Sequence, residues 1–132
     1  MPPTFSIASA NTDAVLSIEM TGVEEATVSF EATFAKGIVG VWFYDGPQSL
    51  VDFFGSMAAD WHGWLGSKKW SSLEGECSFD ATTDRAGHIT ITVTLDQERG
   101  QRDQWFLRAS LEVEAGQLEA IARRAAAALK FP

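Results

Sequence analysis

The chain predicts an α+β fold, a curved antiparallel β-sheet with two α-helices packed on one face. Three observations carry this. Residues 5–44 and 73–114 alternate apolar and polar side chains with the period of a strand. Between those blocks, Leu50, Phe53, Phe54, Met57, Trp61 and Trp64 recur at the spacing of one helix face. A closing segment from about Gly116 to Leu129 repeats the helical period, with Leu118, Ile121, Ala122, Ala125 and Leu129 on its apolar side. The order is therefore strands, helix, meander, helix.

Phe5 to Ser9 reads as a short strand, and Asn11-Thr12-Asp13 as a turn. Ala14 to Met20 follows, with Leu16, Ile18 and Met20 on one side, and Thr21-Gly22 breaks it. From Ala26 to Phe34, Val28, Phe30, Ala32 and Phe34 oppose Thr27, Ser29, Glu31 and Thr33. Lys36-Gly37 is read as a tight turn. Ile38 to Tyr44 is apolar on both parities, so both of its faces call for cover.

Asp45-Gly46-Pro47 opens the first helix: the aspartate can accept from free amides, and proline fits the first turn. Gly63 and Gly66 allow the left-handed backbone that ends it. Leu73, Cys77, Phe79 and Ala81 then face inward against Glu74, Glu76, Ser78 and Asp80. Thr83 to Gly87 is a turn, and Ile89, Ile91, Val93 and Leu95 oppose His88 and three threonines. After the polar loop Asp96 to Asp103, Trp105, Leu107, Ala109, Leu111 and Val113 oppose Phe106, Arg108, Ser110, Glu112 and Glu114. Three such strands joined by short polar loops make a meander with one wet face.

The length predicts a single domain over residues 1–132. Ten basic against eighteen acidic residues give a formal charge of −8, which repels phosphate backbones and anionic lipids. Nucleic acid and membrane are therefore not expected partners. No apolar run approaches the ~18–20 residues of a membrane helix, and the first residues lack a signal peptide's pattern. The single cysteine, Cys77, rules out an internal disulfide framework and fits a reducing compartment, so a cytoplasmic location is expected.

Three of the five tryptophans, Trp61, Trp64 and Trp70, crowd one helix-to-strand junction with glycines between them. Such a cluster is a keystone of the core or the wall of a pocket. Packing is the commoner use, so Trp61, Trp70 and Phe54 are expected to be buried against the sheet.

Chemistry is harder to find. Metal-ligand spacings of the Cys-x-x-Cys or His-x-x-x-His type do not occur, and no metal site is expected. Glu74 and Glu76 share a strand parity but lack an apolar pocket to shift a carboxyl. His88 comes within range of Glu112 across the meander and is read as an ordinary turn-end histidine. Cys77 points to the core and should be inert. No nucleophile elbow or phosphate loop is present. Catalytic residues and cofactors are accordingly not expected.

Surfaces remain as binding candidates: the Trp61/Trp64/Trp70 junction, Trp42 and Tyr44 on the two-sided strand, and Phe106 beside Arg108 on the wet face. An exposed aromatic next to arginine has the composition of an interface hot spot.

The run Trp61-x-Gly63-Trp64-x-Gly66-x-x-x-Trp70-x-Ser72-Leu73-Glu74-Gly75, then Gly87-His88-Ile89, then Leu111 to Leu118 entering the last helix, resembles a family of small bacterial proteins known as domain of unknown function 6228. The resemblance covers roughly residues 46–129. It implies a small single-domain bacterial protein and carries no activity or catalytic residue with it.

The expected function is a non-enzymatic protein-interaction domain, binding a basic protein through an acidic sheet face. Two alternatives stand beside it: a small-ligand binder or enzyme with a pocket at the tryptophan junction, and an immunity-like protein neutralising a basic toxin, the last by class analogy. The two-sided strand adds a further expectation. Either the N-terminal strands curl over its second face, or a homodimer covers it.

Overall fold

In the computed structural model, which describes residues 4–97 and 104–131, the chain runs through eight strands and two helices. Strands β1 (Thr4–Ala8), β2 (Val15–Met20), β3 (Glu25–Glu31) and β4 (Lys36–Trp42) precede helix α1 (Gln48–Ala59). Strands β5 (Lys68–Ser71), β6 (Cys77–Thr83), β7 (His88–Gln97) and β8 (Trp105–Glu114) precede helix α2 (Leu118–Ala128), which a single 3₁₀ turn introduces. The expected loop Asp96 to Asp103 falls partly on residues 98–103, outside the described residues.

The fold is α+β, with antiparallel strands throughout and two helices. The strands form two four-stranded meanders, β1-β2-β3-β4 and β5-β6-β7-β8, rather than one continuous sheet. Helix α1 occupies the connection between them, so β5 opens a new sheet instead of pairing with β4. The inner side of β4 packs onto the second sheet. A Cβ on Gly37 would lie 3.2 Å from side-chain atoms of both Leu107 and Trp105. Glycine is what lets the backbone come this close.

Register aligns the apolar parities into one core. Ile7 stands beside Leu16 and Leu16 beside Phe30 in the first sheet. Trp70 stands beside Phe79, Phe79 beside Val93 and Ile91 beside Leu111 in the second. Helix α1 buries Leu50, Phe53, Phe54 and Met57. The Phe54 ring touches Phe5 at 5.1 Å and Phe79 at 6.2 Å, so this helix joins both sheets. Helix α2 buries Leu118, Ile121 and Ala125 and lies along α1, where its alanines permit close approach. Arg124 anchors it, donating to the Ser6 carbonyl at 2.7 Å with its guanidinium over the Phe5 ring.

Several boundaries differ from the sequence expectation. Helix α1 stops at Ala59, and its stripe does not continue to Trp61 and Trp64. The chain leaves helical geometry at Asp60 and passes through Gly63 at φ 123°. Trp61 therefore loses its register with Met57 and is 61% exposed, while Trp70 (7%) and Phe54 are buried as expected. Strand β5 places Trp70 inward, and Ser72 to Glu76 form the turn that follows it. Leu73 is consequently exposed, and Glu74 and Glu76 do not share a strand face. The turn after β3 spans Ala32 to Ala35, closed by their mutual backbone bonds, and Lys36 and Gly37 already belong to β4. Phe34 sits in that turn, exposed, against the Phe30 ring. Among the described residues, no helix is long and apolar enough to cross a membrane.

Candidate functional site

The end of β4 carries the most distinctive surface. Val39, Val41 and Phe43 point into the core, and Trp42 (39% exposed) and Tyr44 (42%) point outward. The second face of this strand is thus left partly to solvent. The two rings meet edge to face at 5.9 Å. Tyr44 has φ 65°, the one left-handed residue other than glycine among the described residues. A bulky side chain held there costs about 1–3 kcal/mol and persists only where its surroundings impose it.

Those surroundings are supplied by the Ser72-Leu73-Glu74-Gly75 turn. Gly75, at φ 81°, donates its amide to the Ser72 carbonyl at 3.1 Å, closing the turn. Ser72 is buried; its hydroxyl accepts from the Cys77 amide at 3.1 Å and donates to Glu76 at 2.7 Å. The other oxygen of Glu76 accepts from the Trp42 amide at 3.4 Å. Tyr44 donates its phenol to the Glu74 carboxylate. Two carboxylates of one turn therefore engage Trp42 at its backbone amide and Tyr44 at its phenol.

A cleft of ≈ 400 Å³ lies between the start of α1 and β5. Phe43 and Trp70 line its depth, and Asp45, Asp52, Ser71 and Leu73 its mouth. The Trp70 indole donates to Ser49 Oγ at 3.0 Å, so its polar edge is satisfied within the wall. Asp52 accepts from Gln48 at 2.8 Å. No basic residue lines this cleft among the described residues. The mouth is consequently negatively charged, over an aromatic floor, and continuous in sequence with the Glu74/Tyr44 pair.

The three junction tryptophans do not converge on one pocket. Trp70 lines the cleft just described. Trp64 donates its indole to the Ala81 carbonyl at 3.1 Å and lines a separate depression with His62 and Arg85. Trp61 stands outside both, edge-on to His62. Lys68 lies 5.2 Å from the Trp64 ring and pairs with Asp60 at 2.7 Å; this hydrogen bond and charge hold Asp60 below the usual carboxylate range. The remaining candidates, Phe106 and Arg108, are exposed on the outer face of the second sheet. Arg108 borders a shallow hollow there with Lys69, Asp80 and Thr92. That face carries threonines along its middle, Lys69, Asp80 and Arg108 beside them, and Glu112 and Glu114 at one corner.

One feature escaped the sequence reading, and a second was read only in part. The acidic mouth joins Asp45 and Asp52 to Leu73, residues brought together only by the packing of α1 on β5. At the far corner of the second sheet, His88, Glu112 and Glu114 gather with Asp84. Strand parity alone puts those three on one face, and the register pairs His88 with Glu114. Asp84 accepts from the amides of Ala86 and His88 at 2.8 and 3.0 Å and from His88 Nδ1 at 2.9 Å. These bonds hold its carboxyl below the usual range, and the carboxylate raises His88 in turn. Cys77 is fully buried, as its strand parity requires, and burial pushes its thiol pKa up.

The family described as "Family of unknown function (DUF6228)" matches residues 15–131 of the chain. No curated protein and no solved structure matches it.

Proposed function

Since the chain belongs to DUF6228, a family of unknown function, we propose a role from its surface chemistry: a non-enzymatic protein-interaction domain that takes a basic partner at the β4 end. The observation that carries this is the juxtaposition of Trp42 and Tyr44 with Glu74, Glu76 and the Asp45/Asp52 cleft. Aromatic anchors beside carboxylates suit lysine or arginine side chains, whose alkyl stems pack on rings while their charged ends meet acid. The formal charge of −8 adds long-range steering toward a cationic partner. Neutralisation of a basic toxin is one task of this chemical type. The same charge disfavours a second copy of the chain as the occupant.

Selection from a displayed random-peptide library tests this. Lys/Arg-rich peptides containing apolar positions are expected to emerge, with binding that weakens as salt rises. The double variant W42A/Y44A should lose them while remaining folded by circular dichroism. Peptides without basic enrichment, or equal binding by the double variant, overturn the proposal. Light scattering at micromolar concentration separates the homodimer: a mass well above 14.4 kDa that Trp42→Ala returns to monomer would assign the surface to self-association instead.

A further inference from the structure

The corner where β7 begins and β8 ends has the makings of a cation site. His88, Glu112 and Glu114 each offer one ligand atom, and all three atoms lie within 4.8 Å of one another. His88 Nε2 is 3.7 Å from Glu114 Oε2. Two ligands two residues apart on β8 face a third across the strand pair, so the backbone that carries them is hydrogen-bonded and rigid. Glu112 is further fixed at its backbone, its amide donating to Ser9 Oγ at 3.2 Å and its carbonyl accepting from Ala10 at 2.7 Å.

The histidine is oriented from behind. Asp84 is itself locked by two backbone amides and accepts from His88 Nδ1. With Asp84 ionised, Nδ1 must carry the hydrogen, and in the neutral ring Nε2 is left as a lone pair on the side of the two glutamates. A carboxylate buttress on the far ring nitrogen is the usual second layer behind a metal-binding histidine. Glu114 has a comparable restraint, since its carboxylate accepts the Gln117 amide at the entry to α2.

We propose that His88, Glu112 and Glu114 bind a divalent first-row transition ion of the Zn²⁺ class, with Asp84 as the positioning residue. One imidazole and two carboxylates select such an ion over Mg²⁺ or Ca²⁺, which prefer oxygen donors only. Bonds of about 2.0–2.2 Å place tetrahedral ligands about 3.3–3.6 Å apart. Closing the present spacing to that range requires both glutamate side chains to rotate, with Glu114 releasing the Gln117 amide. Solvent would complete the coordination. Bound there, the ion would tie the start of β7 to the end of β8, independently of the surface around Trp42.

Calorimetric titration of the intact protein with Zn²⁺, beside Mg²⁺ and Ca²⁺ as probes, tests the site. Saturable binding of one Zn²⁺ per chain is expected, with a higher melting temperature and with no comparable effect from the other two ions. His88→Ala should abolish it, Glu112→Gln should weaken it strongly, and Asp84→Asn should weaken it about 10–100-fold. His62→Ala, which changes the other histidine, should leave it intact. Circular dichroism establishes that each variant folds, and Glu112→Gln carries the test if His88→Ala does not. Absence of saturable Zn²⁺ binding overturns the proposal. So does binding that survives loss of both His88 and Glu112, or that Mg²⁺ matches.

Discussion

The phenol of Tyr44 donates to the carboxylate of Glu74, thirty residues later in the chain. This pair ties the left-handed end of β4 to the turn between β5 and β6, and so one sheet to the other. Both side chains are partly or wholly in water, where such a bond contributes little to global stability. Its contribution is positional: it holds an aromatic ring at the surface beside an acid.

That placement separates two variants. Tyr44→Phe should change unfolding free energy by less than about 1 kcal/mol. Ser72→Ala should cost about 1–3 kcal/mol, because it leaves the buried Cys77 amide without the Ser72 hydroxyl and frees Glu76 from the turn. Urea denaturation of both variants checks the ordering; a more damaging Tyr44→Phe would mean that the phenol, not the serine, organises the turn.

The tryptophans divide the same way. Trp70 is buried among Phe43 at 6.3 Å and Phe79 at 5.3 Å, so Trp70→Ala should lose about 3–5 kcal/mol. Trp61 lies beyond the helix end in solvent, and Trp61→Ala should stay within about 0.5 kcal/mol of the parent. Chemical melts followed by circular dichroism measure both. A large loss at Trp61 would place it in an interface or in the core.

Stability should depend on pH through His88. Asp84 first, then Glu114 and Glu112, raise its pKa above the ordinary 6.5. A group whose folded pKa exceeds its unfolded one contributes fully below the unfolded value, and loses that contribution as pH rises through the folded one. The contribution of His88 is thus present below about pH 6.5 and declines above it. Asp84 has the opposite sign: its lowered pKa stabilises above about pH 3.8 and that is lost as pH falls further. Denaturation midpoints from about pH 5 to about pH 9 should show a fall that His88→Gln flattens. Parallel curves for the two proteins would remove His88 from this role.

Cys77 should resist thiol reagents in the native protein and react on unfolding, because burial both excludes the reagent and disfavours the thiolate. Labelling with an aromatic disulfide at about pH 8, with and without urea, checks this. Rapid native labelling would show that the second sheet opens readily.

Strand periodicity was enough to place the inner faces of the meander, because a residue's side on a strand depends only on parity. Ile89, Ile91, Val93 and Leu95 lie inward as their alternation requires, and the same logic put Trp42 and Tyr44 opposite Val41 and Phe43. The apolar stripe of α1 was legible from Leu50 to Met57 for the equivalent reason on a helix. Periodicity failed where the backbone changes class. Trp61 continues the spacing of the stripe, yet the helix has ended two residues before it, and spacing cannot report where hydrogen bonding stops. Leu73 likewise matched a strand parity across what is a turn. The division into two sheets was not legible at all, since nothing local in β4 or β5 says whether they pair; it shows only in the structure, where α1 fills the connection between them and Gly37 packs on Trp105 and Leu107 of the second sheet. The cluster at His88 was legible in part, because strand parity puts His88, Glu112 and Glu114 on one face and the meander brings His88 to Glu112; the register and the Asp84 bond complete it. The surface around Tyr44 was not: it joins residues from separate elements, and their meeting depends on how those elements dock, a property of the whole core rather than of any segment.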